Sequence, residues 1–432
     1  MKKIYLSFVL LTVLFQSCNT TPEETNPLEQ LAKEYVKTGL LIGQYDPDFV
    51  DAYYGPDSLK PAPAEYDSFP KEMLLQKVIG LQSGFQEFIK SSSNEIEVQR
   101  ANYILAQLIA AEERIRIVAG ETSDFDEESK KLFGVSAPKF EENHFQEIIN
   151  DLENTLPGSG SLIDRFATLS QQFVIPPARL DTVLKAAIAE ARNQTKLHYP
   201  IPENESFNLE YVGDKAWSGY NWYKGNYTSL IQINTDFPIS IERVIDVGSH
   251  ESYPGHHVYN MLLEENLYNE KGYIETSLYP LFSPQSLIAE GSANYGIQLA
   301  FPEEEKIAFC KETLLPLAGL DTTGITAYFK ALESVSKLNY AGNEVARGIL
   351  NGNMTDDEGI EFLIKYGFYS PDKAKQRIAF TRKYRSYVIN YNYGKDLIAK
   401  YIEGRADTNE GRWKAFGELL SKQVLPVELI NE

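Results

Sequence analysis

Apolar residues recur along most of this chain at the three- and four-residue spacing of an amphipathic helix. The pattern predicts helices over 28–43, 70–89, 95–119, 140–156, 162–173 and 180–195. In 95–119, Tyr103, Ala106, Ile109, Ala110 and Ile115 keep roughly a 3.6-residue period until Gly120 ends it. Pro157-Gly158 and Pro176-Pro177 punctuate the later helices, and an aromatic run between Asp46-Pro47 and Gly55-Pro56 is expected to form a short helix between breakers. Between Tyr199 and Pro238 the period changes. Leu209–Val212 and Tyr227–Asn234 are rich in β-branched and aromatic residues, and the second alternates. A small sheet over about 205–237 is therefore expected, with Gly219–Tyr223 as a loop or short strand beside it. From Ile239 the helical pattern returns, over 246–253, 256–266, 286–300, 303–317, 325–350, 356–366, 371–389, 396–405 and 412–422. The expected fold is mostly α: one large helical domain over 28–432, with a small β-sheet just ahead of the segment 250–290.

The N-terminus departs from this pattern. Lys2 and Lys3, an apolar run over 4–15 and Ser17 ahead of Cys18 read as a secretion signal over 1–17. Cys18 is then the lipidated first residue of the mature chain, followed by a polar linker over 18–27. The expectation is an exported bacterial lipoprotein at the periplasmic or cell-surface face, touching the membrane only through that anchor. No other apolar run approaches the ~18 residues that a spanning helix needs. The 61 acidic residues against 41 basic ones give a net charge of −20, which argues against nucleic acid and anionic membranes as partners. Cys310, the other cysteine, reads as a small core residue, so no disulfide framework is expected.

Chemistry concentrates in His250-Glu251-Ser252-Tyr253-Pro254-Gly255-His256-His257, which holds three of the five histidines. A His-Glu pair with a second His close behind can supply two imidazole ligands and a general base to one zinc ion. On an unbroken helix the spacing fails. His250 and His256 would be about 240° and about 9 Å apart, and His250 and His257 about 10.5 Å apart along the axis. Pro254 removes an N–H and its ring clashes with the carbonyl of His250, while Gly255 admits backbone angles closed to other residues. The helix must break at Tyr253–Gly255, and a bulge there can bring His256 back beside His250. Glu251 then points at a metal-bound water.

A catalytic zinc takes three protein ligands. Glu264 and Glu265 lie too far along the helix axis, whereas Glu270 and Glu275, in an expected loop, stay open as alternatives. Glu290 fits best. It is the sole charge on the apolar stretch Leu287-Ile288-Ala289-Glu290-Gly291-Ser292-Ala293, where burial needs a cationic partner. Its small neighbours are expected to let this helix approach the histidine helix.

At these residues the chain resembles the bacterial family filed as domain of unknown function 885, whose hallmark is His-Glu-x-x-Pro-Gly-His-His followed by Glu-Gly-x-Ala. Here these are His250–His257 and Glu290-Gly291-Ser292-Ala293. The segment Asp46–Pro56 is similar to that family's N-terminal region. The family resembles helical gluzincin peptidases of the thimet-oligopeptidase and carboxypeptidase-Taq types, in which Gly-His ends the histidine motif. That likeness implies His256, rather than His257, as the ligand. It also implies a zinc-dependent peptidase of carboxypeptidase or oligopeptidase type, acting on a peptide substrate with one Zn2+. Glu251 would be the base, and Tyr387, Tyr391 or His257 the oxyanion donor. Arg385 is available for a peptide carboxylate. The strand Tyr227–Asn234 is expected to hold an extended peptide at a sheet edge. Near the C-terminus, Arg385–Gly394 lacks the Pro-Gly-Gln-Ala that many members carry, and Ala346–Leu350 lacks their Asp and His, so the substrate half departs from the family. Two rival readings remain. One is a non-catalytic surface lipoprotein binding sugars or peptides, which the abundance of Tyr would suit. The other is a metal-dependent amidase or esterase.

Overall fold

Where each helical stretch starts, stops and buries its apolar face is seen in a computed structural model of the protein, which describes residues 26–430. Helix accounts for 67% of it and the sheets are small, so the fold is mostly α. The first layer is α1 (Pro27–Tyr45), α2 (Lys71–Ser91) and α3 (Glu95–Val118). Asn26 and Asn94 cap α1 and α3 by accepting from their first backbone N–H groups. The three helices share an apolar core around Val36, Leu74, Phe85 and Ile104.

The aromatic run between α1 and α2 is not a helix. Val50–Tyr53 forms strand β1, which pairs antiparallel with β5 (Leu278–Pro280). Its partner lies far along the chain, and a non-local partner of that kind overrides local propensity. Helices α4 (Phe125–Phe133), α5 (Glu142–Thr155), α6 (Leu162–Gln171) and α7 (Leu180–Lys196) follow. Of these, α4 falls outside the expected set. Asp124 caps its first turn, and it brings the buried Glu128 into the interior.

The sheet contains β2 (Ser206–Val212), β3 (Gly219–Gly225) and β4 (Thr228–Asn234) in the order β2–β4–β3, with β2 parallel and β3 antiparallel to β4. The alternation in β4 is real: Ser229, Ile231 and Ile233 are buried on one face. Its expected place at a sheet edge is not, because both of its sides are paired. The edges belong to β2 and β3. Asn226 and Tyr227 turn the β3–β4 hairpin with φ of 52° and 58°. The buried carboxylate of Glu264 accepts from both backbone N–H groups of that turn, at 2.8 and 3.4 Å.

Helices α8 (Ile241–Glu251), α9 (His256–Leu263) and α10 (Pro284–Ala300) carry the histidine and glutamate motifs. The remainder comprises α11 (Glu303–Phe309), α12 (Leu315–Ala318), α13 (Ile325–Ser336), α14 (Ala341–Leu350), α15 (Asp356–Gly367), α16 (Pro371–Tyr384), α17 (Ile389–Glu403), α18 (Asn409–Leu420) and α19 (Pro426–Ile430). The helix expected over 371–389 stops at Tyr384. Arg385 takes φ 55°, and one 3-10 turn re-aims the chain into α17. Cys310 is a buried free thiol in the core, and burial pushes it up to about 12. Among the described residues, no helix is long and apolar enough to cross a membrane. The segment 1–17 and Cys18 lie outside the described residues.

Helix α10 is buried on nearly all sides and crosses α17 backbone to backbone. A Cβ on Gly291 would lie 2.5 Å from the carbonyl carbon and oxygen of Gly394, so this crossing requires glycine. Gly291→Ala is expected to lower the urea midpoint by an amount equivalent to roughly 1–3 kcal/mol. Gly80→Ala, in α2 with no atom within 4 Å of its added methyl, should leave the midpoint unchanged or raise it.

Candidate metal centre

The break that the sequence demands falls between α8 and α9. Helix α8 ends at Glu251, the Tyr253-Pro254 peptide is cis, and α9 starts at His256. Gly255 closes the gap. Its N–H donates to the carbonyl of Ser249 at 3.2 Å, and a Cβ there would lie 1.9 Å from the carbonyl oxygen of His250. Pro254 packs onto α10 at Gly296, where an added Cβ would come within 2.8 Å of its ring. The imidazoles of His250 and His256 consequently meet edge to face, with centroids 4.6 Å apart at 88°.

Glu290 reaches both rings from α10. Its Oε2 lies 3.1 Å from His250 Nε2, and its Oε1 lies 3.7 Å from His256 Nε2. One donor atom from each of His250, His256 and Glu290 falls within 4.8 Å of the others. Tetrahedral zinc at ~2.0–2.1 Å from nitrogen and oxygen sets donors roughly 3.4 Å apart, so this set fits the ion. Glu290 Oε2, though close to His250, is buried without a hydrogen bond. One potential ligand atom from each of the three side chains thus converges on one point. Burial would raise the Glu290 carboxyl, but His256 and His250 hold it far below the usual carboxylate range. Burial would lower His256, yet Glu290, with Glu251 and Asp51 behind it, takes it up to about 9. A divalent cation would replace the proton held there.

The surroundings fix these three side chains. Asn294, one turn beyond Glu290, donates through Nδ2 to the carbonyls of Glu290 and Tyr391 at 3.1 and 3.2 Å. Its Oδ1 therefore faces His250 Nδ1, at 3.3 Å, as an acceptor. That places the proton on Nδ1 and leaves the Nε2 lone pair toward Glu290. The Tyr387 hydroxyl donates to Glu290 Oε1 at 2.8 Å. Tyr391 stands next to it, its ring 6.5 Å from that of His250, and no described residue hydrogen-bonds its hydroxyl. Glu251 is buried beside the pair, and burial raises its carboxyl, the two imidazoles offsetting only part of the rise. No donor among the described residues engages that carboxylate. Strand β3 passes so close that a Cβ on Gly219 would sit 2.7 Å from Glu251 Oε1.

The remaining sequence candidates are placed elsewhere. His257 is fully buried, with Nδ1 2.7 Å from Ser229 Oγ and Nε2 2.9 Å from Glu205 Oε1. Burial would raise Glu205, but hydrogen bonds from His257, Tyr253 and Arg192 bring it down to about 2. Ser229 in turn bonds Asn221, whose Nδ2 donates to the Glu251 carbonyl at 2.6 Å. His257 thus ties α9 to the sheet. Arg385 is held by the buried Glu128, at 2.6 and 2.7 Å, as an internal ion pair. Glu264 caps the hairpin, and Glu275 forms a bidentate pair with Arg100 at 2.7 Å on each arm. The small residues around Glu290 serve two helices: Gly291 meets α17, and Gly296 meets the break.

Sequence reasoning passed over Asp51, on β1, and Tyr220, on β3. Their side chains are hydrogen-bonded to each other. Burial raises Asp51 to about 6, with Glu290 and Glu251 adding to the rise and Tyr220 and His256 opposing it. Nothing local in the sequence marks Tyr220. Asn294 could have been found, being four residues after Glu290 on one helix face.

Asn294→Ala is expected to weaken zinc binding about 10- to 100-fold in chelator competition while keeping one equivalent at saturation. His257→Gln should also keep one equivalent, whereas His256→Ala should lose it. Metal content measured after dialysis decides both.

No family model matches the chain, and no curated protein matches it, so the resemblance noted above rests on its motifs. The fold is similar to that of a lipoprotein candidate from Colwellia psychrerythraea, with a TM-score of 0.51 and 12% identity over 84% of this chain and 70% of that one. A lipoprotein candidate of unknown function from Shewanella oneidensis gives 0.43 and 13%, covering 84% and 74%. An M32 carboxypeptidase from Deinococcus radiodurans R1 gives 0.41 and 12%, covering 94% of each chain.

Proposed function

We propose that this protein is a zinc-dependent peptidase, of carboxypeptidase or oligopeptidase type, exported as a lipoprotein anchored at Cys18. The observation that carries the reading is the meeting of His250, His256 and Glu290 donor atoms within 4.8 Å, with the buried carboxylate of Glu251 alongside. A pure binding protein has no use for that combination.

His250, His256 and Glu290 would hold the ion, which when bound supplies Lewis acidity for a water and a substrate carbonyl. Glu251 is suited to take the attacking water's proton, because burial raises its carboxyl and no protein donor competes for its oxygens. It then delivers that proton to the leaving amine. Tyr391, whose hydroxyl is uncommitted, donates to the oxyanion. Tyr387 is a positioning residue that holds Glu290. The edge of β3 beside Glu251 gives an extended substrate backbone a place to pair.

Wild-type protein is expected to carry one zinc, and His250→Ala and Glu290→Ala none. Stoichiometric zinc in all three would remove the ligand assignment. Glu251→Gln should keep its zinc and lose peptide hydrolysis by about 10²- to 10⁴-fold, read by mass spectrometry on a peptide library. Undiminished turnover in that variant would rule Glu251 out as the base.

A further inference from the structure

Most arginines in this protein's interior are accounted for. Arg100 pairs with Glu275 and Glu29, Arg114 with Asp46, Arg192 with Glu205, Arg347 with Asp126 and Glu344, and Arg385 with Glu128. Arg116, Arg165 and Arg412 bond carboxylates or carbonyls. Arg377 on α16 is the exception among the described residues. It is half-buried, forms no ion pair or hydrogen bond, and its Nε is buried without a partner. In a chain with 61 acidic residues against 41 basic ones, an unmatched interior guanidinium is not explained by a shortage of carboxylates. Leaving its buried Nε without a partner costs stability unless something outside the chain meets it.

Its position indicates what that is. The guanidinium carbon lies over the Phe380 ring, 5.2 Å from the centroid. The Phe380 ring is 6.1 Å from that of Tyr391, and Tyr391 is 6.5 Å from His250. α14 presents Gly342 nearby, where an added Cβ would stand 3.3 Å from one terminal nitrogen and 3.4 Å from Nε. The fork thus packs against a ring and a bare stretch of helix, at the end of an aromatic run that leads toward His250. Its charge reaches the Tyr391 hydroxyl, as do Glu290 and Glu251. A planar fork fixed in this way suits bidentate binding of one carboxylate.

We infer that Arg377 receives the free C-terminal carboxylate of the substrate, so that the enzyme releases one or a few residues from a peptide's C-terminus. This rests on the peptidase reading above and narrows it to an exopeptidase. It also moves the carboxylate-binding role from Arg385, which Glu128 occupies, to an arginine eight residues earlier.

The test measures binding of acetyl-Ala-Ala-Phe, its C-terminal amide, and acetyl-Ala-Glu-amide by calorimetry, with and without added zinc. Hydrolysis of the same peptides is followed in parallel. Wild type is expected to bind the free acid roughly 10- to 100-fold more tightly than the amide, as a charged bidentate pair provides. Arg377→Gln should abolish that preference, Arg377→Lys should keep part of it, and Arg382→Gln, a surface control, should keep it all. Equal binding of acid and amide, or a preference that survives in Arg377→Gln, overturns the inference. So does tight binding of the Glu-containing amide that depends on Arg377, which would assign the fork to an acidic side chain. Cleavage without any acid preference removes this inference and leaves the peptidase reading. An Arg377-dependent preference without cleavage does the reverse.

Discussion

The architecture turns on one contact between backbones, where the α-carbon of Gly255 lies against the carbonyl of His250. Two imidazoles six residues apart cannot meet on a continuous helix, since that spacing puts them on different faces and about 9 Å apart. Folding the chain back on its own helix end removes the separation, and only a residue without a side chain permits the approach. The break is held from outside by Pro254 against Gly296, and α10 is held in turn by Gly291 against Gly394. Glycines at three successive interfaces therefore set where His250, His256 and Glu290 stand.

Around this frame most of the interior carboxylates have an answering partner. Asp46, Glu128, Glu205 and Glu275 take arginines, Glu264 takes backbone amides, and Glu290 takes imidazoles. Glu251 is the one at the centre that no donor among the described residues engages, and that isolation sets it apart from the ion-pair partners. The same accounting separates Arg385 from Arg377. The resemblance made the first available for a peptide carboxylate, but the acid that neutralises it comes from α4, a short and mostly polar helix that the sequence reading did not include.

How much was legible follows from range. The helical periods and the alternation of β4 are local, and their prediction survives in the structure. So is the collision of Pro254 with its own helix, which is why the break could be placed to within a residue or two. What failed was non-local. The run 46–56 becomes a strand because β5 pairs with it, and β4 becomes the central strand because β2 comes round to its free side. His257 looked available for chemistry until Glu205 and Ser229, on two other elements, were seen to take both of its nitrogens. Asp51 and Tyr220 had no local mark, since each acquires meaning only from the other across two strands.

The cap that Glu264 places on the β3–β4 turn has a mechanical side. Its carboxylate grows from the π-helical turn that continues α9, and it grips the hairpin whose first strand runs past Glu251. The helix supplying His256 and the strand that passes Glu251 are thereby riveted into one piece. Any tilt of that helix carries the strand with it, so the spacing between His256 and the strand is kept even when the piece as a whole shifts.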